Sequence, residues 1–223
     1  RLATARNHTA THLLQKALRN VLGDHVTQAG SMVGPDRLRF DFNHFSQMTA
    51  EEIKKVEIEV NAKILENLEV KVREMPVDEA KKLGAMALFG EKYGDIVRVV
   101  SAGDYSTELC GGTHLKSTAQ AGLVKILGES GVAAGIRRIE ALTGTAALEY
   151  YREKEEQLNN VAAMLKSSPN DSLRKAESLY HDLRAALKEI EQLKGKLASS
   201  SFDEVLSNAV EIKGLKAVAA RFD

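Results

Sequence analysis

The sequence predicts an α+β fold, with helices packed against a largely antiparallel sheet and followed by an antiparallel helical, coiled-coil hairpin. Two observations predict it. Over residues 1–145, runs with helical apolar spacing and runs with strand-like patterning follow one another as helix, strands, helix, strands. Beyond Thr145 the pattern changes to apolar residues spaced alternately by three and four, the period of a heptad seam.

The elements can be justified in order. Thr4 is placed to cap a helix in which Leu13, Leu14, Ala17, Leu18, Val21 and Leu22 share a face, and Gly23 ends it. Strands are expected over Val26 to Val33 and Arg37 to Phe42, joined by a Gly34-Pro35-Asp36 turn. Thr49 and Glu52 form a capping box ahead of a helix that runs to about Asn67. Leu68 to Glu74 alternates like a strand, and Asp78 to Leu83 reads as a short helix. Ile96 to Ser101, Leu123 to Leu127 and Ile136 to Leu142 read as further strands, with a glycine-rich stretch, Cys110-Gly111-Gly112-Thr113-His114, between the first two.

In the second part, Leu148, Tyr151, Leu158, Ala162 and Leu165 lie on one seam, interrupted by Glu155. Ser167 to Asp171, with Pro169, breaks the helix. A second seam then runs through Ala176, Leu179, Leu183, Ala186, Ile190, Leu193 and Leu197. These stretches are expected to fold back on each other as a hairpin over residues 146–200. Ser199-Ser200-Ser201 reads as a linker into residues 201–223, the start of a truncated C-terminal domain. Heptads by themselves describe spacers or interaction surfaces and say little about activity. The chain starts at Arg1 and ends just after an apolar run, so it is expected to be part of a longer polypeptide.

Composition narrows the function classes. Lys+Arg and Asp+Glu are balanced at 31 each, so any RNA contact must come from local patches and not from a whole-protein field. The single cysteine, Cys110, cannot form an intrachain disulfide, which fits a cytoplasmic protein and leaves the thiol for metal or catalysis. No run approaches the roughly 20 apolar residues of a bilayer span, so no membrane partner is expected. Walker and dinucleotide motifs are absent from the sequence, so ATP chemistry is not expected of this stretch. Ser101, Ser106, Ser117 and Ser130 lack a nucleophile-elbow context. His25 and His44 read as turn or surface residues, and His181 as solvent-facing.

The chemistry concentrates in two half-sites. His8 and His12 are four apart on a predicted helix, so both imidazoles leave the same face. Cys110 and His114 repeat that spacing across a loop whose glycines allow a tight fold. Three imidazoles and one thiolate are a ligand set suited to zinc. Either half-site alone also describes an ordinary helix pair or a small buried cysteine.

The segments Asn7-His8-Thr9-Ala10-Thr11-His12-Leu13-Leu14 and Glu108-Leu109-Cys110-Gly111-Gly112-Thr113-His114 resemble the paired signatures of the alanyl-tRNA synthetase editing domain. That domain shares its fold with the second additional domain of threonyl-tRNA synthetases and with free-standing alanyl-tRNA editing proteins. Arg39-Phe40-Asp41-Phe42 and Gly135-Ile136-Arg137-Arg138-Ile139-Glu140-Ala141 also match. The resemblance covers residues 1–145 closely, and the later helices with Val210 to Phe222 resemble the connector and first strand of the synthetase C-terminal domain.

The resemblance implies an aminoacyl-tRNA hydrolase that clears Ser-tRNA(Ala) and Gly-tRNA(Ala), working as part of an ATP-dependent alanine–tRNA ligase. It implies zinc held by His8, His12, Cys110 and His114, with Cys110 and Gln28 as catalytic residues. Gln28 would lie near the substrate side chain, although on its own it reads as a strand polar residue. Gly111 and Gly112 would offer backbone donors to substrate. Arg137 and Arg138 would contact tRNA, where the plainer reading is a solvated strand face. Expected partners are the tRNA(Ala) acceptor end, the aminoacylation domain of the same polypeptide, and a second copy through a C-terminal domain outside this chain.

Two mechanisms stay open. Either one ligand, His114, is loose and the ion activates water, or the ion orients the aminoacyl end while water attacks from elsewhere. A free-standing trans-editing protein, a non-catalytic zinc-stabilised tRNA-binding module, and a scaffold dimerised by its heptads are the competing readings.

Overall fold

The structure is a computed structural model that describes residues 1–86, 94–207, 210–212 and 214–218. The chain divides into two compact units, Arg1–Glu153 and Lys154–Asp223.

The first unit opens with helix α1, Leu2–Leu22. Thr4 is not its cap: it lies inside the first turn, because burial of Ala5 draws the helix upstream to Leu2. Gly23, at φ 116, ends the helix as expected and donates its N–H to the Arg19 carbonyl. Val26 turns the chain, so strand β1 covers only Gln28–Val33, and it pairs antiparallel with β2, Leu38–Asn43. Helix α2, Ala50–Leu65, carries the predicted capping box: Glu52 N–H donates to Thr49 Oγ1 at 3.2 Å and Thr49 N–H to Glu52 Oε2 at 2.7 Å.

Strand β3, Val70–Pro76, leads into the short helix α3, Val77–Lys82. Strands β4, Ile96–Ala102, and β5, Ser106–Leu109, then join β3 in a sheet of order β3-β4-β5. The sequence does not announce β5, since its buried positions Ser106 and Glu108 are polar and its pattern looks inverted.

Strands β6, Val124–Ala133, and β7, Ile136–Thr143, complete a second sheet of order β1-β2-β7-β6. β6 runs well past the predicted Leu127. Gly128 and Gly131 suggest a loop, but register shifts beside them accommodate both glycines within the strand. The single expected sheet is thus two antiparallel sheets, of four and three strands.

Alternate residues of β2 and β7 explain where the core lies. Leu38, Phe40 and Phe42, with Ile139 and Ala141, are fully buried and pack with Leu13, Leu14 and Leu18 of α1 and Val56 and Val60 of α2. Asn7 ties α1 to the sheet: its amide donates to the Gly34 carbonyl at 2.8 Å and accepts from Thr143 Oγ1 at 2.7 Å. A smaller cluster of Met75, Ala80, Val97, Val99 and Leu109 lies under the other sheet.

His25 sits in the exposed turn after α1 as expected, but His44 is buried, with its Nδ1 2.8 Å from His25 Nε2. The position follows Phe42 by two on the inward face of the chain, which draws it into the protein. Burial, and then the neighbouring His25, hold the His44 imidazole below the ordinary value of 6.5. The unfolded chain therefore takes up a proton that the folded His44 refuses, so stability falls as pH drops through 6.5. We expect His44→Gln to flatten the loss of stability between about pH 7 and about pH 5 in urea titrations. An unchanged slope would show that His44 does not contribute.

Helix α4, Gly144–Met164, enters the second unit, where the 3₁₀ turn Pro169–Asp171, capped by Ser168, precedes helix α5, Ser172–Ser207. The break falls at the predicted site, but Ser199 to Ser201 continue the helix and are not a linker. A continuous buried seam is not confirmed among the described residues, although Ala162 of the first seam is buried. Every α5 side chain from 173 to 200 is exposed, Leu183 at 58% and Ile190 at 47% among them, as are Leu148 and Leu158 of α4. A heptad stripe fixes which face is apolar but not what covers it. His181 faces solvent as expected. Strands β8, Val210–Ile212, and β9, Leu215–Ala217, form a small antiparallel hairpin. No helix among the described residues is long and apolar enough to cross a membrane.

Candidate metal centre

The four predicted ligands come together. His8 and His12 leave one face of α1, with His12 buried and His8 partly so. Alternation along β5 puts Ser106 and Glu108 on one face and carries Cys110, just past the strand, towards α1. One ligand atom from each of His8, His12, Cys110 and His114 lies within 4.8 Å of all the others.

Cys110 Sγ is 3.3 Å from His8 Nε2 and 3.3 Å from His114 Nε2. Sulfur and nitrogen bound tetrahedrally to one zinc, at about 2.3 and about 2.0 Å, are separated by about 3.5 Å, so this spacing fits the ion. The ring centroids of the three histidines are 4.3, 4.6 and 5.4 Å apart.

The loop is shaped for this approach. A Cβ on Gly112 would overlap the His8 ring at Cε1 and Nδ1, whereas one on Gly111 would meet open space. Arg98, on β4, fastens the loop from behind: its Nη1 donates to the Cys110 and Gly112 carbonyls, both at 2.7 Å, and its own carbonyl accepts from Cys110 N–H. The Gly112 N–H points at Cys110 Sγ, 3.4 Å away.

Burial is the first cause of the low basicity of all three rings. His12 is held well below 6.5 by burial, then by His114, His8 and Arg98. His114 is pushed down to about 3 by burial, then by His8 and Arg98. His8 is lowered by burial and then Arg98. Neutral imidazole is the form that binds a metal, so these ligands need not shed protons near neutral pH.

An outer layer holds the rings. Thr9 Oγ1 is 3.2 Å from His114 Nδ1, and Glu108 Oε2 is 3.5 Å from His12 Nδ1. Ser106 Oγ donates to Glu108 Oε1 at 2.8 Å, yet burial of Glu108 outweighs this and pushes its carboxyl up to about 8. Such partners orient imidazole ligands.

Thr9, Arg98 and Glu108 are absent from the site that the sequence predicts. Thr9 and Glu108 lie inside the two signature segments, and Glu108 precedes Cys110 by two on an alternating strand, which could have marked it. Arg98 offered only a lone cation in an apolar strand.

Gln28, Arg137 and Arg138 lie on strands of the four-stranded sheet. Gln28 opens β1 opposite Phe42, and Arg137 of β7 lies opposite Phe42 on the other side, so the two flank one buried ring. This is the end of β1 remote from Gly34, whose carbonyl accepts from Asn7 of α1. Arg138 grips Asp41 with Nε and Nη2 at 2.7 and 2.8 Å, and Arg137 Nε pairs with Glu129. Neither arginine is a simple solvated strand residue.

Residues 97–140 match the profile of the family described as "Threonyl and Alanyl tRNA synthetase second additional domain". The whole chain is 66% identical to the alanine–tRNA ligase of Acetivibrio thermocellus, covering 25% of that protein. Over 99% of its length it is 56% identical to alanine–tRNA ligase 1 of Lachnoclostridium phytofermentans, and over 98% it is 54% identical to that of Listeria monocytogenes serotype 4b. The chain belongs to the alanine–tRNA ligase family. It spans about a quarter of the length of these relatives. Within the family match, residues 97–140 contain Cys110 and His114 but not His8 and His12. The ligase-family sequence therefore supplies half of the cluster from α1, outside the matched segment, and the tertiary structure joins the halves.

Proposed function

We propose that this part of an alanine–tRNA ligase is its editing hydrolase, cleaving the ester that joins serine or glycine to the terminal ribose of tRNA(Ala). The observation that carries the reading is the convergence of His8, His12, Cys110 and His114 in a chain of this family.

The need for such an activity is physical. A pocket that admits alanine admits the smaller glycine, since one missing methylene is worth only about 1–3 kcal/mol, and it rejects serine's added hydroxyl poorly. Hydrolysis at a second site removes the wrong product.

The donor set and its neutral imidazoles suit zinc. When bound, the ion supplies a fixed positive charge that orients the aminoacyl end. The ring of His114 is held at Nδ1 by Thr9, which favours a four-residue set that keeps all its members over one with His114 loose. Water then attacks the ester carbonyl carbon, a bond forms between water oxygen and that carbon, and the ribose oxygen leaves with a proton. Charge gathers on the carbonyl oxygen. Gly112 N–H is directed at Cys110 Sγ, so Gly111 is the better backbone donor to that oxygen. Cys110 serves the reaction as a ligand.

Gln28 is assigned to the substrate side chain on the family resemblance alone. Arg138, with Nε and Nη2 on Asp41, has Nη1 left for a phosphate, and Arg137 lies beside it on β7. The partners in this reading are the tRNA(Ala) acceptor end, the aminoacylation domain of the same polypeptide and a second copy, in the cytoplasm.

A closed four-residue set also suits a structural zinc, so a tRNA-binding module without hydrolysis is the second reading. Zinc content measured alongside Ser-tRNA(Ala) deacylation separates the two. We expect deacylation by the wild type, its loss with chelator, and background rates for Cys110→Ala. Full activity of Cys110→Ala with metal still bound would remove the site. In the same assay Gln28→His should slow hydrolysis with the fold intact, and unchanged rates would take Gln28 out of the pocket.

A further inference from the structure

We propose that Thr9 is the positioning residue that fixes the ring of His114, and that it does so by linking that ring to the backbone of Leu115. The inference rests on the metal reading of the cluster above.

Thr9 sits between the two histidines of α1, buried at 2% exposure. A threonine within a helix commonly turns its hydroxyl back to the carbonyl four residues earlier. Thr11 does this, donating to the Asn7 carbonyl at 2.8 Å. Thr9 instead faces the loop. Its Oγ1 accepts the Leu115 N–H at 3.1 Å and lies 3.2 Å from His114 Nδ1.

One hydroxyl thus joins α1 to two consecutive residues of the distant loop. A hydroxyl oxygen has two acceptor lone pairs. With one taken by Leu115 N–H, the other meets the proton on His114 Nδ1. That tautomer leaves Nε2 bare, and Nε2 is the atom 3.3 Å from Cys110 Sγ, on the side of the cluster. Serine can make the same two bonds, whereas valine, of nearly the same shape, can make neither.

The test uses the full chain with Thr9→Val and Thr9→Ser, titrated with zinc in competition with a chromophoric chelator. Loss of an outer hydrogen bond to a metal-bound histidine typically costs about 10–100-fold in affinity. Thr9→Val should fall in that range, and Thr9→Ser should stay near the wild type. Imidazole ¹⁵N spectra of the zinc-loaded chain provide a readout that a packing role would not move. Wild type and Thr9→Ser should show His114 coordinated through Nε2 with a slowly exchanging Nδ1 proton. In Thr9→Val that proton should exchange rapidly.

Thr9→Val with wild-type affinity and a protected Nδ1 proton would overturn the assignment. A wild type that binds no zinc would overturn the metal reading together with it. A wild type that binds zinc but does not hydrolyse Ser-tRNA(Ala) would defeat the editing proposal while leaving Thr9 in place.

Discussion

Gly112→Ala should abolish zinc binding at the proposed centre while Gly111→Ala leaves it nearly intact. The two glycines are neighbours, and neither requires a left-handed backbone. Flexibility therefore does not separate them; space does. A methyl at 112 would overlap the His8 ring, and the Arg98 guanidinium pins the Cys110 and Gly112 carbonyls, so the loop cannot back away without breaking those bonds. His8 must then swing out, which removes one of four ligands. Since even outer hydrogen-bond partners are worth about 10–100-fold in affinity, loss of a ligand should weaken zinc binding by at least about 100-fold. The proposed deacylation should disappear with it. At 111 the methyl meets open space, and zinc affinity should stay within about threefold, a change of under about 1 kcal/mol. Chelator competition on both variants is the measurement. Equal effects at the two positions would mean that the His8 contact does not govern the site.

Phe40→Ala is the second large effect, and it acts on stability. Phe40 is central in β2, between Ser31 of β1 and Ile139 of β7, with no exposed surface. Phe42 lies beside it, ring centroids 6.1 Å apart, and Leu13, Leu14 and Leu18 belong to the same core. Truncation leaves a void that the hydrogen-bonded strands on both sides cannot close. The expected cost is about 3–5 kcal/mol, against about 5–15 kcal/mol for a whole domain. Phe40→Leu leaves a smaller void and should cost less. Urea denaturation followed by circular dichroism reads both values. A loss for Phe40→Ala below about 1 kcal/mol would show that the core relaxes around the gap. The site should feel the change too, because α1, which carries His8 and His12, rests on this sheet.

Much of the fold was legible because local signals were strong. The Thr49–Glu52 capping box, Gly23 at the end of α1 and the alternation in β2 each follow from side-chain chemistry within a few residues. The misses share a different cause. β5 is hard to read because two of its buried positions are a serine and a glutamate, which pair with each other and, through Glu108, with the distant His12. β6 was cut short because its glycines look like a loop until β7 pairs with them. The seam of α5 is present in the sequence, but its exposure is not, since periodicity does not name a partner.

The candidate site divides in the same way. Residue type and spacing singled out His8, His12, Cys110 and His114 as candidate ligands, because two side chains four apart on a helix share a face and the glycine loop lets Cys110 and His114 approach each other. What only the tertiary structure decided was that the two directions meet, that Arg98 holds the loop against α1, and that Thr9 and Glu108 stand behind the rings. Gln28 and Arg137 illustrate the same limit, since only strand register places them on either side of Phe42. Sequence spacing acts over one or two turns of chain, whereas hydrogen bonds and burial act between any surfaces that packing brings within a few ångströms.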